Sequence, residues 1–184
     1  MDLLERAIGY TRGSLMLVRP ELMSAPTPCS AWDLRALLAH MNDSLVSLHE
    51  AGSVRRVRLD VLSTQSADPV HALRTRACQL LAEWSAAEES TSERVDVLVD
   101  GRPLTSPVLT SAGALEITVH GWDVAVACGA HRPIPETLAE DLLPPATVLV
   151  TDPDRPSRFG PALDPPVDAT KSERLLAYLG RTPR

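Results

Sequence analysis

The sequence predicts a mainly all-α fold: a bundle of four long helices, with a short β-hairpin before the fourth and a loop-rich C-terminal tail. Two observations carry this expectation. Apolar residues return every three or four positions through four long stretches, whereas alternation is confined to one short run, Val95, Val97 and Val99. Prolines fall between those stretches or at their starts, where they end or open helices.

In order, residues 2–18 place Leu3, Leu4, Ala7, Ile8, Thr11, Leu15 and Val18 at helical spacing, and Pro20, Pro26 and Pro28 end that helix. A second helix spans about Ala31 to Ala51. Ser30 and Asp33 resemble a capping box with Asp in place of Glu, and Gly52 closes the helix. Its apolar face is Leu34, Leu37, Leu38, Met41, Leu45 and Leu48, with His40 off the centre. Asp68-Pro69 opens a third helix carrying Leu73, Ala77, Leu80, Leu81 and Trp84. Asp100-Gly101 is a tight-turn signal after the valine run, so a hairpin is expected there. The fourth helix runs from about Ser111 to Cys128 and is capped by Gly129. "IPETLAEDLL" adds a short fifth helix that Pro144-Pro145 stops, leaving "ATVLV" as strand or packed coil. Residues 151–168 read as loop, and "SERLLAYLGR" as a last helical turn or two. One domain is expected, with its bundle core in about 1–130 and a short helix and tail in 131–184.

A net charge of -6 with no basic run argues against nucleic acid and against an anionic membrane surface as partners. Glu5, Arg6 and Arg12 break the N-terminal apolar pattern, so no secretory signal is read, and no stretch reaches the roughly 18 apolar residues of a membrane span. A cytoplasmic location is expected. Cys29, Cys78 and Cys128 are odd in number and widely spaced, which speaks against a disulfide framework and a thiolate zinc site.

"ALEITVHGWD" carries the chemistry. Glu116, His120 and Asp123 stand at i, i+4 and i+7, one stripe of the fourth helix. A carboxylate and an imidazole one turn apart can grip a metal, and catalytic sites commonly use three protein ligands with a position left open. The third ligand must come from another helix, where His40 is the best candidate. The alternative is that the stripe is the solvent side of an amphipathic helix and His40 a boundary residue. His49, His71 and His131 lie in polar or loop settings that suit surface positions better than ligands.

"PTPCSAWDLRALLAHM", followed about 75 residues later by "EITVHGWDVAVACG", resembles the actinobacterial branch of the DinB-like, mycothiol-dependent maleylpyruvate isomerase superfamily. "FGPALDPPVDATKSERLLAYLGR" is similar to the tails of small proteins in that branch, many described only as metal-binding. The resemblance implies an antiparallel four-helix bundle with one divalent metal between helices two and four. Zinc is the usual ion, and nickel, iron or manganese suit the same donors. Its ligands fall on His40, Glu116 and His120. Trp32 and Trp122 lie in the matched segments, either as bundle packing or as walls of the cofactor and substrate pocket. Asp123 either orients a ligand, carries a proton, or serves as a cap or surface residue. Cys29 precedes the second helix, about 15 Å along the axis from His40, and would need a fold-back to take part.

The implied chemistry is activation of a low-molecular-weight thiol, mycothiol or a counterpart such as bacillithiol or glutathione, as co-substrate. The thiolate then attacks a small electrophile in an isomerisation or S-transfer. Two other readings stay open: hydrolysis or rearrangement by a metal-bound water with Asp123 as base, and a non-catalytic, metal-stabilised binding module. Maleylpyruvate isomerase of this type carries a further C-terminal domain, and only a short tail follows Cys128, so maleylpyruvate itself is not the expected substrate. Arg35, Arg55, Arg56 and Arg58 are candidates for a substrate carboxylate, with solvated surface as the alternative role. Bundles of this kind often pair, which puts a homodimer among the expected assemblies.

Overall fold

The computed structural model describes residues 2–53, 56–57, 66, 68–90, 96–99, 102–155 and 159–183. It is mostly helical: α1 (Leu3–Leu15), α2 (Leu34–Ser53), α3 (Pro69–Ser90), α4 (Ser106–Ala127), α5 (Glu136–Leu149) and α6 (Lys171–Tyr178). Strands β1 (Arg56–Val57), β2 (Asp96–Val99) and β3 (Arg102–Thr105) form a small sheet in that order. Val95, the Asp100-Gly101 turn, Arg55 and Arg58 lie outside the described residues.

Local chemistry sets most boundaries. Asp33 Oδ1 accepts from the Ala36 amide at 2.9 Å, so Asp33 rather than Ser30 caps α2, and the helix starts at Leu34 rather than Ala31. Asp68 Oδ1 accepts from the His71 amide at 2.9 Å and Pro69 opens α3. Thr170 and Glu173 form a reciprocal capping box on α6. Strands β2 and β3 pair antiparallel, Val97 opposite Leu104, and β1 adds parallel to β2, a third strand that periodicity did not announce. Because β3 feeds directly into α4, that helix begins at Ser106, with proline in its first turn, rather than at Ser111.

The largest departure is α5. It continues through Pro144 and Pro145 to Leu149, so "ATVLV" is helical and neither strand nor coil. The two prolines deny hydrogen bonds to the carbonyls of Glu140 and Asp141, and both residues are exposed, where solvent can satisfy those acceptors. Leu138 and Leu142 are 1% and 0% exposed. Beyond the prolines Ala146 and Val150 are 0% and 2% exposed in the main core, so burial of the last turn works against a cost of about 3 kcal/mol for each proline.

Helix α1 packs on α4, α2 on α3 and α4, and α5 on α4 and α6. The α2/α4 pair is antiparallel, since Leu48 abuts Gly113, Ser44 meets Glu116 and His40 meets both Glu116 and the His120 ring. Gly121 permits the close α1/α4 approach: a Cβ there would lie 2.3 Å from Thr11 Oγ1. The main core holds Leu4, Ile8, Leu34, Leu38 and Trp122 together with Ile134, Leu138, Leu142, Leu175 and Leu179, so α5 and α6 share it with the four long helices. Among the described residues no helix is long and apolar enough to cross a membrane.

Candidate metal centre

Helix α4 is apolar on nearly every side and buried on most of them, so its polar side chains require partners inside the protein. Glu116 finds its partners on α2. Glu116 Oε1 lies 2.5 Å from His40 Nε2, 3.2 Å from His120 Nε2, and accepts from Ser44 Oγ at 3.1 Å. One ligand atom from each of His40, Glu116 and His120 can be chosen so that all lie within 4.8 Å of one another. His120 is 6% exposed and Asp123 0%, so the stripe faces inward and the solvent-face alternative falls. The side chains of His40 and Glu116 stay 36% and 30% accessible, so the triad is open on their side.

Behind the triad lies a second, more deeply buried network. Asp123 Oδ2 meets His120 Nδ1 at 2.9 Å, the Arg181 guanidinium at 3.0 Å and Cys29 Sγ at 3.4 Å. Arg181, 5% exposed, also reaches Asp123 Oδ1 and Cys29 Sγ and donates to the Leu179 carbonyl. The segment carrying Cys29 folds back. Thr27 Oγ1 accepts from the Cys29 amide and donates to the Trp32 carbonyl, and Pro26 bridges to Asp33. The axial distance of a helix therefore does not apply to Cys29, and its sulfur arrives beside Asp123.

These contacts fix the charges of the site. Burial opposes ionisation of Glu116, but the His120 charge and the bonds from both histidines outweigh it and hold its carboxyl well below the usual range. Burial likewise opposes a charged His120. Glu116 and Asp123 overcome that and keep the imidazole protonated well above its usual range. Asp123 is held below its ordinary value, against burial, by His120 and Arg181.

Two groups of donors therefore share His120: His40, Glu116 and His120, or Cys29, His120 and Asp123. The second already contains a cation, the Arg181 guanidinium, in contact with two of its three donors. Repulsion from a fixed positive charge at that distance disfavours a metal there. The first group has two imidazole nitrogens and a carboxylate oxygen, and among the described residues no arginine or lysine bonds to them. Its donor chemistry fits zinc or a neighbouring first-row ion.

Trp32 stacks beside the site, its ring centroid 4.5 Å from His40 and 6.0 Å from His120. Trp122, two residues past His120 and thus on the opposite helix face, is 6% exposed in the main core. His49, His71, His131 and Arg35 are exposed and outside both donor groups. Ser44 and Arg181 were missed by sequence reasoning. Ser44 had a signal, one turn beyond His40 on the same helix; Arg181 had none within its own segment.

A family model described as mycothiol maleylpyruvate isomerase N-terminal domain matches residues 4–125. That span contains the triad and Asp123, and leaves out Arg181. Two Mycobacterium tuberculosis proteins, from strains CDC 1551 / Oshkosh and ATCC 25618 / H37Rv and both described as uncharacterized, are similar over the full length. Each is 26% identical over 184 residues, covering 98% of this chain and 96% of its own. No solved structure matches the chain.

Proposed function

The chain belongs to the mycothiol maleylpyruvate isomerase N-terminal domain family, and on that premise we propose that it is a metal-dependent enzyme. In this reading it activates a mycothiol-type thiol for isomerisation of, or S-transfer to, a small electrophile. Membership points to a mycothiol-related, metal-binding function, and the donor groups are compatible with it. His40, Glu116 and His120 would hold one divalent ion, zinc first by donor chemistry. Such an ion, when bound, lowers the pKa of a coordinated thiol so that it stands as thiolate at neutral pH.

The observation that carries the reading is the double anchorage of His120. Its Nδ1 faces Asp123 at 2.9 Å while its Nε2 faces Glu116 at 3.2 Å. A carboxylate on Nδ1 fixes the tautomer that leaves Nε2 as the donor. Arg181 keeps that carboxylate ionised, and Ser44 orients Glu116. Trp32 covers one side of both imidazoles. Asp123 itself is fully buried, with both oxygens engaged, which favours positioning of His120 over proton transfer. Hydrolysis thereby loses the base that the sequence offered, and the accessible flank of His40 and Glu116 argues against a closed, purely structural site.

Elemental mass spectrometry on the purified chain and on His40→Ala, Glu116→Ala and His120→Ala tests the metal. About one ion per chain, lost in all three variants and kept in His49→Ala, is expected. Folded wild-type protein that neither contains nor takes up a divalent ion overturns the reading. Adding mycothiol to the cobalt-substituted protein should then produce a thiolate-to-metal absorption band. A spectrum that ignores the thiol retires thiol activation and leaves metal binding.

A further inference from the structure

Among the described residues the same helix cap occurs twice, and one of the two reaches the site. After α4, Gly129 turns left-handed at φ 72°, its amide bonds the Val126 carbonyl and the Ala130 amide bonds that of Ala125. After α6, Gly180 does the same at φ 74°, its amide bonding Ala177 and that of Arg181 bonding Leu176. The residue after such a glycine ordinarily adds an apolar contact. Here it is Arg181, 5% exposed, whose guanidinium lies against Asp123 and Cys29 and 5.7 Å from the Phe159 ring centre. Backbone contact holds the turn in place. A Cβ on Gly180 would lie 2.7 Å from the Gly160 carbonyl, and Arg155 donates to the carbonyls of both Gly160 and Tyr178. These tail residues all fall beyond the span that the family model matches.

We propose that Arg181, delivered by the Gly180 turn, determines which donors a metal can use. Its fixed charge fills the group of Cys29, His120 and Asp123, and so confines an ion to the Nε2 side of His120. The choice of the triad rests on the metal reading above; the exclusion of Cys29 does not. The two groups compete for one imidazole, since Nδ1 faces Asp123 and Nε2 faces Glu116. Zinc and its neighbours take thiolate as readily as imidazole, so donor chemistry alone does not protect Cys29. The guanidinium does, because it stands 3.0 Å from Asp123 Oδ2 and 3.3 Å from Cys29 Sγ and repels a dication at that range. An ion held by Cys29 would have its sulfur ligand supplied by the chain, whereas an ion at the triad keeps that position for an external thiol. With the guanidinium withdrawn, the ion can bind His120 Nδ1, Asp123 and Cys29 Sγ, the thiol proton passing to solvent as the metal–sulfur bond forms. It sheds more water in that buried chamber than at the half-open triad, so it is held less tightly than in the parent.

Cobalt(II) reports the donor directly, because a thiolate ligand gives a near-ultraviolet charge-transfer band that imidazole and carboxylate do not. It is added, without any external thiol, to the parent, Arg181→Met, Gly180→Ala and Gly129→Ala. Gly129→Ala imposes the same left-handed strain, and its Cβ meets nothing within 4 Å. The expected result is bound cobalt without a thiolate band in the parent and in Gly129→Ala, and a thiolate band in Arg181→Met and in Gly180→Ala. Adding Cys29→Ser to Arg181→Met should remove the band. The inference is overturned by a thiolate band in the parent, by its absence from both Arg181→Met and Gly180→Ala, or by a band that persists without Cys29. The same spectra separate the two proposals. A parent that binds cobalt while both variants stay without a band sinks this inference alone. A Cys29-dependent band in Arg181→Met from a chain whose parent takes up no metal sinks the triad reading alone.

Discussion

Replacing Arg181 with methionine should be the most damaging single change to the site that leaves the triad itself intact. The Asp123 carboxylate, 0% exposed, would lose the guanidinium 3.0 Å from its Oδ2. Removing one member of a buried ion pair costs about 3–5 kcal/mol, because an uncompensated charge stays behind. The His120 imidazolium remains 2.9 Å from the same oxygen, which places the expected loss at the lower end. At about 2–4 °C per kcal/mol for a chain of this length, about 3 kcal/mol corresponds to a fall in Tm of roughly 10 °C. Urea and thermal unfolding followed by circular dichroism measure it. Asp123→Asn in the same chain removes the stranded charge, so the double variant should be less destabilised than the two single effects added. Groups that orient a metal ligand from behind contribute about 10–100-fold to affinity, so Arg181→Met should also bind zinc about tenfold more weakly. A variant within about 0.5 kcal/mol of the parent, or strict additivity in the double variant, would refute the reasoning.

Gly121→Ala places a Cβ 2.3 Å from Thr11 Oγ1 and 3.1 Å from its Cα, so α1 must move off α4, at an expected cost of about 1–3 kcal/mol by urea unfolding. Gly9→Ala meets nothing within 4 Å on an exposed part of α1 and should be neutral or gain up to about 1 kcal/mol; equal effects at the two positions would contradict the packing described. In the metal-free protein His120 is held protonated above its ordinary 6.5, so that contribution is complete below about pH 6 and disappears as pH rises through the raised value. Glu116 and Asp123 are held below their ordinary values and contribute above about pH 4, the contribution disappearing as acid protonates them. Metal-free Tm should therefore peak in mild acid and decline toward pH 9. With saturating metal, which needs the histidine donors unprotonated, it should instead rise between about pH 5 and 7. Melting scans on both forms decide this, and a flat metal-free profile from pH 6 to 9 would count against the charge assignments.

The sequence by itself determined the four long helices and the spacing of Glu116, His120 and Asp123. Those features depend on neighbours within one or two turns, and a period of 3.6 residues is written locally. It also proposed His40 as the ligand from a second helix, from its place beside an apolar face and from the family resemblance. Tertiary packing decided the rest. Pro144 and Pro145 read locally as a stop, yet α5 runs past them and its last turn buries Ala146 and Val150. Strand β1 is two residues long and pairs with β2 across some forty positions, too short to show a period. The contact of Cys29, Asp123 and Arg181 joins three segments that share no local pattern, at separations of 94 and 58 positions. Such a contact follows from how a folded-back loop, a buried helix and a C-terminal turn enclose one carboxylate, and its energy comes from burial and charge pairing that arise only after those segments have met.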